Sequence, residues 1–195
     1  MNSPVLRYYN INKDVTAFSS TRKGGCSEGC YGEFNVNAFC GDSPKAVEAN
    51  RKALCRKLGI GARRLVVPHQ THGTCVRQIT DSFLASDDDA RAMLLDGVDA
   101  VMTDVRGLCI GVSTADCIPL LLYDPAGRAA CAVHAGWRGT VERIAVKTVE
   151  QMALSYGTRP EALRAYIGPG ISAANFEVGD VTMNSSGILP WALIR

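Results

Sequence analysis

The sequence predicts a mixed α/β sheet protein, and three observations carry that reading. Four short apolar runs, "AVMT", "LCIGVST", "IPLLLYDP" and "AACAVHA", fall within residues 100–135. They are rich in Val, Ile and Leu and bounded by turn residues, the pattern of buried strands. Two other segments place apolar residues at helical spacing. No repeat, low-complexity stretch or linker interrupts the 195 residues, so one domain spanning 1–195 is expected. Strands outnumber helices, which excludes a helical bundle, and the two helices exclude an all-β sandwich.

The elements follow in order. "VTAFSST" alternates weakly and reads as a strand, and "RKGGCSEGCYGEFN" behind it as a glycine-rich loop. "SPKAVEANRKALCRKLGI" is the first helix: Ala46, Val47, Ala49, Ala53, Leu54 and Leu58 share a face. Ser43 is placed to cap it, Pro44 suits its first position and Gly59 its stop. "RLVVPHQTHGTCVRQI" reads as strand, turn, strand, with two histidines at the break. "SDDDARAMLLDGVD" is a solvated loop or a short helix, and the four apolar runs follow it. The second helix is read from "TVERIAVKTVEQMALSYG", with Val141, Ile144, Ala145, Thr148, Val149, Met152 and Ala153 on one face. "LRAYIGPGI" closes as a strand ending in a Gly-Pro turn.

Composition narrows the function. A formal net charge of +2 without any Lys/Arg block gives no electrostatic footprint for nucleic acid. No apolar run approaches the roughly 18–20 residues of a membrane span, and "MNSPVLRYYNINKD" does not read as a signal peptide. Eight cysteines without a targeting segment read as reduced thiols of a cytoplasmic chain. The expected partner is a small-molecule substrate, handled by a monomer or weak homo-oligomer, with neither nucleic acid nor membrane involved.

The stretch "VHAGWRGTVERI" carries the chemistry. Gly136 and Gly139 permit a tight strand-to-helix turn, and a helix start presents unpaired N–H groups to an anion. Arg138 can add a bidentate contact; the alternative is a plain turn with Trp137 packed on the core. All three histidines, His69, His72 and His134, stand beside turns after apolar runs. Cys117, in "STADCIPLLLYDP", is a small buried hydrophobe, a nucleophilic thiolate or a soft metal ligand. No local spacing joins His72, Cys117 and His134. Two imidazoles and one thiolate, if the fold joins them, suit Zn²⁺ or copper with one coordination position open. Cys26, Cys30 and Cys40 lack a fourth partner and read as free loop thiols rather than a second metal site.

Several motifs together, "STRKGGCSEGCYGEFNVN", "CGDSP" with "ANR", "HQTHG", "DAVMT", "STADCIPLLLYDP", "AVHAGWRGTVERI" and "IGPGISAANFEVGD", resemble the laccase-domain family, also called YfiH-type or multicopper polyphenol oxidase proteins. The likeness runs from about Thr16 to Val181. It implies a three-layer α/β/β sandwich and a zinc site of His72, Cys117 and His134, with copper as the alternative metal. It also implies phosphorolysis of adenosine, inosine or methylthioadenosine to the base and a pentose 1-phosphate, and adenosine deamination; some members are described as copper-dependent oxidases of phenols.

Physical chemistry lays roles over that implication. Phosphate has Gly136, Arg138 and Gly139 as its best seat, with Arg22 and Arg51 as further candidates. Asp116 is the acid nearest Cys117 in sequence and a candidate proton carrier. Trp137, Phe34, Tyr31 or Phe39 can stack on a purine or phenol. The family often has histidine where this chain has Phe39, and His69 ranks below His72. The tail 182–195 does not resemble the family's ending, so a shortened C-terminal part is expected. Three histidines cannot furnish a four-copper laccase centre. A cysteine hydrolase, with Cys117 as nucleophile and His72 or His134 as base, and a non-catalytic remnant are the other readings.

Overall fold

The computed structural model describes residues 3–177. In chain order the elements are β1 (Leu6–Tyr9), β2 (Ala17–Ser20), α1 (Pro44–Leu58), β3 (Leu65–Val66), β4 (Val76–Gln78), α2 (Asp81–Ala85), α3 (Asp88–Leu95), β5 (Ala100–Thr103), β6 (Cys109–Ile110), β7 (Ile118–Asp124), β8 (Ala129–Ala135), α4 (Trp137–Val141), α5 (Ile144–Tyr156) and β9 (Arg164–Ile167). The expectation about the tail 182–195 lies outside the described residues.

Five strands form the central sheet in the order β4-β5-β8-β7-β9. β4 runs parallel to β5, and the other neighbours are antiparallel. The register places Ala100 opposite Val133 opposite Leu120, and Met102 opposite Cys131 opposite Leu122. Side chains alternate across a strand, so these six form two rows on one face. Ile144 and Met152 of α5 complete that cluster. Val101 and Ala132, with the opposite parity, join Val66, Ile79, Phe83 and Val98 on the other face. A third cluster, Phe34, Leu54, Cys55, Leu65 and Val67, lies under α1 and receives Leu6 and Phe18 from the antiparallel β1–β2 hairpin. The order is therefore helix, central sheet, then a layer containing the short parallel β3–β6 pair, as an α+β sandwich requires.

Local sequence accounts for most helix boundaries. α1 begins at Pro44 and ends where Gly59 turns left-handed at φ 68°, its N–H returning to Cys55 and Arg56. Ser43 occupies the cap position, but its side chain makes no capping bond. Asn50 instead fixes α1 to the glycine-rich loop: its buried amide donates to Ser27 Oγ and Asn35 O, both at 2.9 Å, and accepts from Cys26 N at 3.0 Å. The acidic segment forms α3, capped by Asp87, which accepts from Ala90 N at 2.7 Å.

Three sequence expectations change. "LCIGVST" yields only the two-residue β6. β1 and α2 were not foreseen; α2 is fixed by a Thr80 cap and buried Phe83. The helix read as continuous from Val141 breaks at Arg143, whose φ of 65° is left-handed, leaving α4 and α5 as separate helices.

Candidate metal centre

β8 delivers the first site residue. It ends in His134 and Ala135, and His134 is 3 % exposed. One strand over, Asp99 immediately precedes β5 and is fully buried. Its main-chain oxygen accepts from His134 N at 2.7 Å, extending the β5–β8 ladder, and its Oδ1 accepts from His134 Nδ1 at 2.8 Å. A proton held on Nδ1 leaves Nε2 as the free lone pair, the orientation a metal-binding imidazole needs.

The same carboxylate builds the loop bearing His72. Asp99 Oδ1 accepts from His72 N at 3.0 Å, and Oδ2 accepts from Gly73 N at 2.8 Å and Thr71 N at 3.3 Å. Burial alone would raise the Asp99 carboxyl, but the bonds from His134, Gly73 and Thr71 outweigh it and hold the group below its ordinary value. His72 takes φ 64°, a conformation uncommon outside glycine that clusters at functional sites. Its ring meets that of His134 edge-on, with centroids 4.8 Å apart.

Cys117 arrives from the segment before β7. Gln70 ties that segment to the His72 loop, donating to Ser113 O at 2.8 Å and accepting from Ser113 N at 2.7 Å. Ile171 N donates to Asp116 O at 2.8 Å, so the turn after β9 braces Cys117 from the other side. The outcome is that one ligand atom each from His72, Cys117 and His134 lie within 4.8 Å of one another. Among the described residues this is the only such grouping of three or more His, Cys, Asp or Glu side chains. Cys26, Cys30 and Cys40 remain free thiols outside it.

The donor set fits a metal on two further grounds. A Cβ at Gly136 would stand 2.9 Å from His72 Cδ2 and 3.3 Å from Cys117 Sγ, so the bare glycine leaves room for the three ligands to converge. The surroundings also disfavour a nucleophile: burial, with Asp116 and Asp99 adding, pushes the Cys117 thiol above its ordinary value. Activated cysteines sit in electropositive surroundings, whereas a cation between two imidazoles and this sulfur would stabilise its thiolate.

The other predicted residues are placed as follows. Gly139 lets α4 approach the His72 loop, since a Cβ there would be 2.8 Å from Gly73 O. Arg138 is exposed and lies over the Trp137 ring, 5.1 Å from its centroid. Arg22 is engaged elsewhere, donating to Gly32 O at 3.0 Å and Cys30 O at 2.7 Å. Arg51 lies half-buried on α1. The Asp116 side chain is exposed. Phe34 is core, whereas Phe39 is exposed and stacks on His69 at 4.3 Å. Asp99 and Gln70 were not predicted as site residues. The one signal for Asp99 was an acid directly before an apolar run.

Residues 16–186 match the sequence model of the family described as "Multi-copper polyphenol oxidoreductase laccase". The chain belongs to that family. A purine nucleoside phosphorylase of Bacteroides thetaiotaomicron is 43 % identical over 178 residues, covering 90 % of this chain and 66 % of the relative. "Adenosine deaminase RL5", from an unknown prokaryotic organism, is 41 % identical, covering 85 % of this chain and 63 % of its own length. This member of the family thus spans just under two thirds of the length of these curated relatives. The crystal structure of Bacillus licheniformis hypothetical protein YfiH aligns with a TM-score of 0.82 at 31 % identity, covering 91 % of this chain and 67 % of that one. That likeness establishes the family's fold for the described sheet and helices. Among the described residues no helix is long and apolar enough to cross a membrane.

Proposed function

We propose that this chain is a metal-dependent purine nucleoside phosphorylase, splitting adenosine, inosine or methylthioadenosine with phosphate into base and pentose 1-phosphate, with adenosine deaminase activity beside it. The single observation that carries the reading is the convergence of His72, Cys117 and His134 behind the bare Gly136. Relatives named purine nucleoside phosphorylase and adenosine deaminase supply the reaction class.

His72, Cys117 and His134 would hold Zn²⁺. A zinc ion with three protein ligands supplies Lewis acidity at a fourth, open position. The residues do the rest. Asp99 holds the proton on His134 Nδ1 and keeps His72 in place. Trp137, half-buried at the start of α4 with Arg138 over its ring, is the candidate to wall the purine site. Arg138, exposed over that ring, is positioned to orient the ligand's anionic end. Asp116, exposed beside Cys117, is the candidate to carry a proton. The eight free thiols favour a reducing, cytoplasmic setting.

The test is incubation of the purified chain, its metal fixed by mass spectrometry, with inosine in the presence and absence of phosphate. Phosphate-dependent hypoxanthine and pentose 1-phosphate at about one zinc per chain are expected. His72→Ala, Cys117→Ala and His134→Ala should each lose both metal and turnover. Full activity and full metal content in Cys117→Ala would show the site misassigned. The second reading, a copper-dependent polyphenol oxidase, draws on the family's description and on the affinity of imidazole and thiolate for copper. Copper-dependent oxidation of a phenol without nucleoside turnover would replace the first reading with it.

A further inference from the structure

A cavity of about 210 Å³ lies between α1 and α3, outside the metal centre. Phe39, Leu65 and Leu95 give it an apolar side, and Arg51 and Arg91 also line it. Arg51 makes no hydrogen bond or ion pair among the described residues, although it is half-buried. Arg91 is more deeply held, its side chain 11 % exposed and its Nε buried without a partner. Its other contacts are a bond from Nη2 to Arg63 O at 2.9 Å, a 3.9 Å approach of Nη1 to Asp88, and the Phe83 ring, whose centroid lies 4.9 Å from the guanidinium carbon. Asp88 is the only carboxylate lining the cavity; it is largely exposed and already paired with Arg63. Burial lowers the proton affinity of both guanidiniums, and each has a further arginine nearby that adds to the effect.

Polar and charged groups taken out of water are normally satisfied by a partner. Here two arginines line one cavity, one of them with a buried N–H that has no protein partner, and the one lining carboxylate is largely exposed and paired with Arg63. An anion is the partner whose charge complements both guanidiniums. Planar, forked donors match tetrahedral oxyanions and carboxylates, and the cavity admits a group of phosphate size. The cavity also belongs to the neighbourhood of the metal centre. Phe39 stacks on His69, and His69 N and Leu95 O join the loop that carries His72 to the end of α3.

We propose that Arg51 and Arg91 form the seat of a phosphate group, with Phe39 as its apolar wall. This rests on the phosphorylase reading and deepens it by seating the phosphate between α1 and α3 rather than at Arg138; the source of the phosphate is left to the test. It is either the inorganic co-substrate or the phosphate of a nucleotide.

The experiment titrates inorganic phosphate into the full chain by calorimetry, with chloride at matched ionic strength as the control. Variants are Arg51→Met, Arg91→Met and Arg51→Lys. Saturable binding is expected in the parent chain. A loss of about tenfold or more is expected in each Met variant, since a charged hydrogen-bond pair is removed. Arg51→Lys keeps the charge but loses the fork, so it should bind between the two. Should a Met variant fail to fold, the Lys variant decides: affinity equal to the parent overturns the proposal. So does absent binding in the parent, or equal binding in folded Met variants. A rise in the KM for phosphate in the same variants identifies the co-substrate as the source. Tighter binding of AMP than of adenosine, erased by the variants, identifies a nucleotide. Phosphate binding through Arg51 with no nucleoside turnover would leave this seat standing and remove the phosphorylase reading. Turnover with phosphate binding indifferent to both arginines would do the reverse.

Discussion

Asp99 Oδ1 lies 2.8 Å from His134 Nδ1 and also accepts the main-chain N–H of His72 at 3.0 Å. One carboxylate oxygen therefore fixes two of the three candidate ligands, which come from segments far apart in the chain. Two of the candidate ligands are thus oriented by hydrogen bonds within the fold itself. Supporting hydrogen bonds of this kind are typically worth 10–100-fold in metal affinity.

Asp99→Asn tests that dependence. The amide keeps the shape but cannot accept at every position the carboxylate now fills. Zinc affinity, read by competition with a chelating dye, should fall about 10–100-fold. Parental affinity in the variant would mean that Asp99 does not organise the site.

Gly136→Ala separates space from backbone freedom. Gly136 has φ −71°, which alanine adopts readily, so any effect comes from the added methyl. That methyl would meet His72 Cδ2 at 2.9 Å and Cys117 Sγ at 3.3 Å. Metal affinity should fall about tenfold or more, since the methyl pushes two ligands themselves rather than a group that supports them, while the circular dichroism spectrum stays unchanged. Undiminished zinc binding would place the metal elsewhere.

Arg143→Gly should stabilise the fold by about 0.5–1 kcal/mol. The left-handed φ of 65° costs a non-glycine residue roughly 1–2 kcal/mol, partly offset by the greater unfolded entropy of glycine. Urea denaturation would show a higher midpoint at unchanged slope. A lower midpoint would mean that the Arg143 side chain contributes more than the strain removes.

Asp124 gives the pH dependence away from the metal centre. Burial raises its carboxyl, but the bond from Thr158 Oγ1 at 2.7 Å and those from Gly127 and Ala126 outweigh it, so the folded value lies below the ordinary one. A depressed carboxyl contributes stability that is fully present above the unfolded value of about 3.9 and is lost as pH falls through the folded value. Asp124→Asn should therefore be less stable than the parent at pH 7, with the difference shrinking below about pH 4. A pH-independent difference would show that the carboxylate's charge plays no part.

Legibility in the sequence followed the range of the forces involved. The runs "IPLLLYDP" and "AACAVHA" fixed β7 and β8 because burial on both faces leaves an unbroken apolar signature. α1 was readable from Pro44, Gly59 and its periodic face. The break at Arg143 was not, since Val141 and Ile144 keep helical spacing across it and only tertiary contacts select the left-handed turn. In the site, the residue types at 72, 117 and 134 were legible but their meeting was not; it came from the family resemblance. Asp99 escaped because its partners lie 27 and 35 residues away, and no local pattern marks an acid that a sheet will bury.

The turn at Arg143 has a consequence for how such a protein can diversify. α5 anchors the core through Ile144 and Met152, whereas α4 carries Trp137 and Arg138 in only five residues. Because Arg143 interrupts the helix, the exposed positions 138 and 140 can be rewritten, whereas Gly139 packs against Ile144 of α5 and must be kept. On the proposed function, ligand preference and foldability fall to largely separate stretches of chain, and a library randomised at 137, 138 and 140 would explore the former.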